Sequence, residues 1–289
     1  MNGILHKLSY IDDCHDGSAV AAGAFSIEDT GTMASVETAT NRFSDKLLGL
    51  LDRIEYRRVE TGEDMEDVAR IRYKAYKAGA VMHLGEQAVL IDEVDFDSHA
   101  YVFGIYYEER LISTVRLHHV TPEHRVTSSG KVFPDEINAF LDAGMSLIDP
   151  VRLAADPEIW SEMPAIPYLT LRIATMATDY FQTDRCVQMV KPAHSAFYKR
   201  VFDADFVASP KSNHGKFIID LMLLATNVKE TLPSLYQRFP FFKSEPYERR
   251  MMFARGDDLL FSPLTVRPTA RRAHFGSERI QLSGSAYTG

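Results

Sequence analysis

The most informative segment for the fold is Ile148-Asp149-Pro150-Val151-Arg152-Leu153, or IDPVRL. It lies within 145–154, where apolar residues and short spacing predict a β-strand. Proline has no backbone N–H to donate, so a strand that carries Pro150 is expected to bulge or to part from its neighbour. We therefore predict a bulge or a splayed edge in this strand near Pro150.

Helices and strands alternate on the C-terminal side of this stretch. Residues 167–181 have a helical pattern, 185–191 a strand pattern, and 192–202 form a helix that begins with a proline. Phe206 and 216–226 indicate a final strand or hairpin, and a helix at about 229–239 follows it.

The N-terminal side begins with a strand at 54–59 and a helix that starts at 61–64 and continues through Tyr76. Two β-rich runs, 101–107 and 111–118, predict a hairpin, and 134–141 predicts a short helix. The complete order predicts an α/β fold of the α+β kind, with a mixed central sheet and helices on both faces.

Composition narrows the class of protein. The net charge is -8, and no basic block with interleaved aromatic residues occurs, so we expect no nucleic-acid partner. Cys14 and Cys186 are too far apart in sequence for metal-ligand spacing and predict a reducing compartment without disulfides. The longest apolar run, 217–226, is about half the ~20 residues that a membrane span needs. We expect a cytoplasmic protein without a transmembrane segment.

Three regions are predicted along the chain. Residues 1–53 form an N-terminal extension that is partly disordered or helical, because their hydrophobic periodicity is poor apart from leucines near 44–53. Residues 54–240 form the main domain. Residues 241–289 form an arm or tail with weak periodicity.

Five motifs follow one another in the main domain: Ile71–Tyr76, Asp92–Asp95, Thr114–Leu117, Ile148–Leu153 and Lys191–Arg200. In this order they resemble the N-acyl amino acid synthases and the related acyl-homoserine lactone synthases of the GNAT superfamily. The resemblance covers about 54–226. It implies a GNAT-like acyltransferase fold, in which the sheet is splayed between strands four and five to admit a pantetheine arm.

The resemblance also implies a reaction. A fatty acyl group would pass from acyl-phosphopantetheine on acyl carrier protein to the α-amine of an amino acid, with no tightly bound cofactor. GNAT enzymes hold the coenzyme A pyrophosphate with an Arg/Gln-x-x-Gly-x-Gly/Ala loop at a helix N-terminus. The corresponding segment, 157–167, contains no glycine, which favours a carrier-borne donor over coenzyme A.

Two other functions remain open from the sequence. The first is an acyl-homoserine lactone (autoinducer) synthase that uses S-adenosylmethionine. Lactone synthases have tryptophan at the position of Met82, usually phenylalanine at Tyr76 and glutamate at Asp149, which disfavours this function. The second is a non-catalytic module that binds acyl groups or carrier protein.

Three residues are the catalytic candidates. Asp149 would take a proton from the amine, or it would cap a turn or pair with Arg152. Tyr198 would donate to the departing sulfur, or it would be a core aromatic beside Phe197. His194 would bind the acceptor carboxylate or the carrier, or relay a proton, although a histidine near a helix start is often structural.

The resemblance places a further set around the substrate. Arg72, Asp92, Asp95 and Arg116 are predicted to form one ion network that shapes the acceptor pocket. The predicted substrate-binding residues are Arg72, Tyr76, Met82, Asp92, Asp95, Arg116 and Arg152. The predicted carrier-binding residues are Lys191, Lys199 and Arg200, because acyl carrier protein is acidic.

We predict neither a cysteine nucleophile nor a histidine metal site. Cys186 lies in a predicted buried strand without an adjacent base, so we expect it to pack rather than to act as a nucleophile. His118 and His119 are consecutive on a predicted strand and would point to opposite faces, so we predict no metal site there or with His124.

Overall fold

The computed structural model describes residues 33–84, 89–212, 217–255 and 265–275. The helices are α1 (Met33–Leu51), α2 (Gly62–Ala78), α3 (Ser128–Val132), α4 (Pro134–Asp142), α5 (Pro157–Trp160), α6 (Ile166–Phe181), α7 (Ser195–Phe202), α8 (Val228–Arg238) and α9 (Pro246–Phe253). The strands are β1 (Ile54–Arg58), β2 (Ala100–Tyr107), β3 (Arg110–Val120), β4 (Leu147–Ala155), β5 (Arg185–Val190), β6 (Asp205–Lys211) and β7 (Leu221–Asn227). Short 3₁₀ turns lie at Glu93–Phe96, Pro192–His194 and Pro240–Phe242.

The seven strands form one sheet in the order β1-β2-β3-β4-β5-β7-β6. Neighbouring strands are antiparallel except β4 and β5, which are parallel. The predicted mixed sheet is therefore confirmed, as is the β2–β3 hairpin, and of the two alternatives at the C-terminal end the antiparallel pair β6–β7 is present. A parallel pair needs a crossover connection, and α6 provides it.

The strands β4 and β5 part where the sequence predicted. Their paired positions are Leu147 with Arg185 and Ile148 with Cys186. Pairing ends just before Pro150, which has no N–H to offer to a neighbouring strand. Beyond this point β4 continues to pair with β3, so an opening forms between β4 and β5 alone.

A bulge follows the opening on β4. Thr114 faces Ala154 and Arg116 faces Val151, so two β4 residues, Arg152 and Leu153, lie opposite one residue of β3. Arg152 has a φ of 54°, a left-handed conformation that is uncommon for a non-glycine residue. A bulge re-aims the side chains of its strand, and here it turns the Arg152 side chain towards α2.

Helices cover both faces of the sheet. The largest apolar core lies on one face, where α6 is buried over most of its length and packs with α1 and with Ile148 of β4. On the other face, α4 packs over Leu147 and Leu223, and α2 packs through Met65 and Val68 against Val102. The position of the opening in mid-sheet makes it reachable from both of these layers.

The terminal regions contribute to the same cores. The first described helix, α1, runs from Met33 to Leu51 and is longer than the predicted segment at 44–53; its Leu47, Leu48 and Leu51 are buried. Residues 1–32, including Cys14, lie outside the described residues. At the other end, α9 and 265–275 pack on the main core, and Val266 pairs with Tyr56 of β1.

Within the described ranges, no helix is both long enough and apolar enough to cross a membrane.

Candidate active site

Five charged side chains from four elements meet beside the β4–β5 opening. Arg72 Nη1 lies 2.8 Å from Asp95 Oδ1. Arg116 Nη1 lies 2.9 Å from the same oxygen and 2.6 Å from Asp92 Oδ1. Arg152 forms an ion pair with the other oxygen of Asp92. The four residues predicted to form one ion network do form it, and Arg152 joins them.

The local sequence positions these acids. Asp92 and Asp95 form a capping box around the 3₁₀ turn Glu93–Phe96, in which the Asp92 N–H donates to Asp95 Oδ2 at 3.0 Å. Asp95 is buried, whereas the Asp92 side chain is 30% exposed. One carboxylate therefore anchors the network from inside, and the other lies at its outer edge.

Burial and charge work against each other in this network. Burial lowers the pKa of Arg72, and the neighbouring Asp95 partly offsets that effect. Burial by itself would raise the pKa of Asp92, but Arg116 and Arg152 together hold it well below its usual range. Asp92 therefore stays ionised across the physiological pH range.

The ion network is short of acceptors. It holds three guanidinium groups and two carboxylates. Within the described residues, Arg72 Nε and Nη2 and Arg116 Nε have no hydrogen-bond partner. A positively charged group with unused N–H donors favours an additional anion.

Arg152 is the guanidinium of this network that solvent reaches. Its side chain is 13% exposed, whereas those of Arg72 and Arg116 are 0% exposed. Its guanidinium carbon lies 5.9 Å from the Tyr76 ring centre, and its Nη1 lies 3.6 Å from Met82 Sδ. All seven predicted substrate-binding residues therefore share one site.

Asp149 lies at the opening, as predicted, but its carboxylate is occupied. It accepts hydrogen bonds from the Ser129 N–H at 3.1 Å, from Ser129 Oγ at 2.6 Å, and from Thr127 Oγ1. These groups begin α3, so Asp149 caps that helix from a neighbouring strand. The alternative that Asp149 pairs with Arg152 is wrong, because Arg152 binds Asp92. A role for Asp149 as a base would require these three bonds to rearrange, and it stays a prediction.

His118 is a neighbour of Asp149 that was not among the predicted site residues. The two residues face each other across β3 and β4. The His118 side chain is completely buried, and both ring nitrogens lack a hydrogen-bond partner in the described part of the chain. Burial lowers the pKa of His118 to about 4, so the imidazole is neutral at neutral pH.

A narrow cavity of about 30 Å³ lies on the opposite face of the sheet, behind the opening. Pro150 of β4 and Gln188 of β5 border it from the two parted strands. Its other walls come from α6, α7 and α8 and from single residues of β5 and β7, and most of them are apolar: Leu171, Ala174, Thr175, Thr178, Cys186, Tyr198, Phe202, Thr226, Val228, Thr231, Leu232 and Leu235.

Tyr198 lies between the core and the cavity, and its role as a donor to the leaving sulfur stays a prediction. Its ring packs against Phe197 and Phe202 in the core, and it also lines the cavity. Burial raises the pKa of Tyr198, so its hydroxyl stays protonated and able to donate. Burial likewise raises the pKa of the Cys186 thiol to about 12, which agrees with packing rather than nucleophilic chemistry.

The remaining predicted residues lie around the start of α7. The His194 N–H donates to the Lys191 carbonyl at 2.9 Å in the turn that precedes the helix. Lys199 and Arg200 are exposed on α7, the helix that carries Tyr198. None of the four contributes to the wall of the described cavity, and their roles in binding or proton transfer stay predictions.

The chain is similar in sequence and in fold to known acyltransferases. The sequence profile of the N-acyl amino acid synthase FeeM family matches residues 67–227. The solved structure of FeeM, an N-acyl amino acid synthase from uncultured soil microbes, aligns over 65% of this chain and 99% of that chain, with a TM-score of 0.54 and 18% identity. At this identity the likeness shows the fold alone.

Two other solved structures are more distant. The coenzyme-A-dependent acyl-homoserine lactone synthase BjaI aligns over 77% of this chain and 99% of that chain, with 12% identity and a TM-score of 0.49. An N-acetyltransferase from Staphylococcus aureus Mu50 aligns over 61% and 98%, with 12% identity and a TM-score of 0.42. No curated protein sequence matches the chain significantly.

Proposed function

Because the chain belongs to the N-acyl amino acid synthase FeeM family, we propose that it transfers a fatty acyl group from acyl carrier protein to the α-amine of an amino acid. The observation that carries the proposal is the β4–β5 opening, which begins after Ile148 and Cys186. The opening lies between an apolar cavity on one face of the sheet and an arginine-rich ion network on the other face. A thioester in the opening would meet its acceptor there.

The cavity supports an acyl donor. Its walls are mainly apolar, and such walls favour a hydrocarbon chain. Its volume of about 30 Å³ is enough for a water or two, so α6 and α8 must move apart to admit a fatty acyl chain. The absence of glycine from 157–167 and the exposed Lys199 and Arg200 support an acidic carrier protein as the bearer of the thioester.

The ion network supports an amino acid acceptor. Its excess positive charge suits a carboxylate, and Arg152 is the guanidinium that an incoming molecule can reach. Charge-assisted bonds of this kind hold carboxylates in a defined orientation. We expect the substrate carboxylate to bind beside Arg152, Tyr76 and Met82 and to direct its amine towards the opening.

The chemistry is a single acyl transfer. The neutral amine attacks the thioester carbonyl, a C–N bond forms and the C–S bond breaks. Backbone N–H groups of β4 beyond Ile148 have no β5 partner and are candidates to stabilise the oxyanion. The nitrogen releases one proton, and the departing thiolate gains one, for which the Tyr198 hydroxyl is the candidate donor.

The test is thiol release by purified full-length protein across a panel of amino acids. Acyl carrier protein and coenzyme A thioesters of the same chain length are compared, with and without S-adenosylmethionine, and mass spectrometry identifies the products. We expect an N-acyl amino acid and faster turnover of the carrier thioester. Binding of acyl carrier without thiol release in the presence of any amine would support the non-catalytic alternative and refute the proposal.

Two variants then separate the candidate catalytic groups. Tyr198→Phe removes the hydroxyl and keeps the ring, and Asp149→Ala removes the carboxylate. If Tyr198 donates the proton, its variant loses turnover while its urea midpoint stays near the wild-type value. If Asp149 mainly caps α3, its variant loses stability in proportion to activity.

A further inference from the structure

One polar group in the apolar cavity has an unused hydrogen-bonding atom. The Gln188 side-chain Nε2 donates to the Cys186 carbonyl at 2.9 Å and to Thr226 Oγ1 at 3.0 Å. Thr226 Oγ1 in turn donates to the Phe202 carbonyl at 3.1 Å. Both partners of Gln188 therefore act as acceptors, which fixes the orientation of the amide and leaves Oε1 on the opposite side.

Gln188 Oε1 is buried and unpaired. The residue is 5% exposed, it lines the cavity, and no described group donates to this oxygen. A buried acceptor without a donor is unfavourable. A protein keeps such a group where a ligand completes it, and the Gln188 side chain lies in the wall of the cavity that must widen to admit an acyl chain.

The neighbouring hydroxyls do not supply the missing donor. Thr175 Oγ1 donates to the Leu171 carbonyl at 3.3 Å, and Thr178 Oγ1 donates to the Thr175 carbonyl at 2.8 Å. Their protons are used within α6, so neither hydroxyl has a proton left for Gln188 Oε1.

The position of Gln188 relates this oxygen to the parted strands. It lies on β5 two residues beyond Cys186, the last residue that pairs with β4. Pro150, two residues beyond Ile148 on β4, borders the same cavity. Pro150 and Gln188 therefore border the cavity from the two parted strands, each two residues beyond the last paired position.

We propose that Gln188 Oε1 accepts a hydrogen bond from a donor group on the bound acyl thioester. The proposal rests on the proposed function. The donor is either a hydroxyl on the acyl chain close to the thioester or an amide N–H of the pantetheine arm. A keto group at the same position of the chain has no proton to offer and would face an acceptor, so the site selects against it.

The test measures binding of non-transferable thioether analogues to full-length protein by calorimetry, so it does not depend on turnover. The probes are acyl-pantetheine thioethers of one chain length that are unsubstituted, 3-hydroxy or 3-oxo. Gln188→Met removes the acceptor and keeps the length of the side chain. If an acyl hydroxyl is the donor, the wild-type protein prefers the 3-hydroxy probe about tenfold, and Gln188→Met loses that preference.

If a pantetheine amide is the donor, Gln188→Met weakens all three probes by a similar factor, and probes without the arm are unaffected. The matched control is Gln237→Met, the same exchange at an exposed position of α8 outside the cavity wall; we expect it to keep the wild-type affinity for every probe. Equal affinities of wild type and Gln188→Met for every probe would refute the proposal. If analogues bind but no amine is acylated, the proposed reaction fails and the Gln188 contact stands.

Discussion

Two buried ion clusters of this protein differ in how completely their polar atoms are paired. The first joins α6 to α9, where Arg172 binds both oxygens of Glu248 at 2.6 and 2.9 Å. Arg172 also donates to the Phe241 and Lys243 carbonyls at 2.8 and 2.6 Å. Thr269 donates to Glu248 Oε2 through its N–H and its hydroxyl, so every group of this pair has a partner.

The second cluster is the network of Arg72, Asp92, Asp95, Arg116 and Arg152. Three of its N–H donors have no partner within the described residues, and its arginines outnumber its carboxylates. Arg172 and Glu248 are completely buried, and so are three members of the second cluster: Arg72, Asp95 and Arg116. Burial and residue type therefore do not explain why donors of Arg72 and Arg116 are left unpaired. The two clusters are distinguished by their unpaired N–H donors, because a cluster with only a structural role is less stable when donors are left unpaired.

Breaking the complete cluster should have the largest effect. We expect Arg172→Met to reduce the free energy of unfolding by about 3–5 kcal/mol, because Glu248 would remain as an unpaired buried charge. Urea unfolding measures the change. The double variant Arg172→Met with Glu248→Leu should recover part of the loss. If the free energy of unfolding of Arg172→Met lies within about 0.5 kcal/mol of the wild-type value, the usual range for surface substitutions, the complete cluster does not stabilise the fold and the proposed difference between the clusters is wrong.

Opening the incomplete cluster should affect substrate more than stability. We expect Arg152→Met to raise the KM for the amino acid about thirtyfold, roughly 2 kcal/mol, because a charge-assisted bond to the substrate is lost. Initial rates at saturating acyl donor measure it. The control is Arg53→Gln, an exposed arginine that pairs with Glu108 and should leave KM unchanged. An unaltered KM in Arg152→Met would place the acceptor elsewhere.

Acid should weaken the neighbourhood of the incomplete cluster. The pKa of His118 is about 4 in the folded protein, against about 6.5 for an unfolded histidine. The unfolded chain therefore binds the proton first as the pH falls, and stability is lost from about pH 6.5 down to about pH 4.

Between pH 7 and pH 5 we expect this histidine to contribute a loss of about 1–2 kcal/mol, since Asp149 nearby partly favours the charged form. The measurement is urea unfolding at both pH values. His118→Leu should flatten the difference. Equal pH dependence in the two proteins would show that His118 gains a partner in solution.

The smallest effect is expected at the edge of the complete cluster. Thr269→Val removes the hydroxyl that donates to Glu248 at 2.5 Å and accepts from the Glu245 N–H at 2.8 Å, and it keeps the backbone bond to Glu248. Because Arg172 still pairs Glu248, we expect a loss of about 1 kcal/mol in the free energy of unfolding. A larger loss, accompanied by proteolysis within 265–275, would mean that this one hydroxyl holds the segment on the core.

Much of the site was predictable because its residues lie in short motifs on regular elements. Pro150 predicted where the strands part, since the missing N–H acts locally. Asp92 and Asp95 were predicted to meet Arg72 and Arg116 through the family resemblance, and the ion pairs confirm it. The hydrogen-bond partners of Asp149 were not predictable. Thr127 and Ser129 lie about 20 residues away in sequence, and no sequence motif links serine or threonine to an aspartate at that distance.

Periodicity, proline chemistry and motif order are properties of neighbouring residues, so the order of elements and the family resemblance, with the strand parting that it implies, could be predicted from the sequence. Which polar groups find a partner depended on the folded structure. Arg172 received a complete shell from segments some 70 residues away, whereas Gln188, His118 and the network arginines were left with unused atoms. Hydrogen bonding depends on distance and direction in space, and residue identity supplies neither.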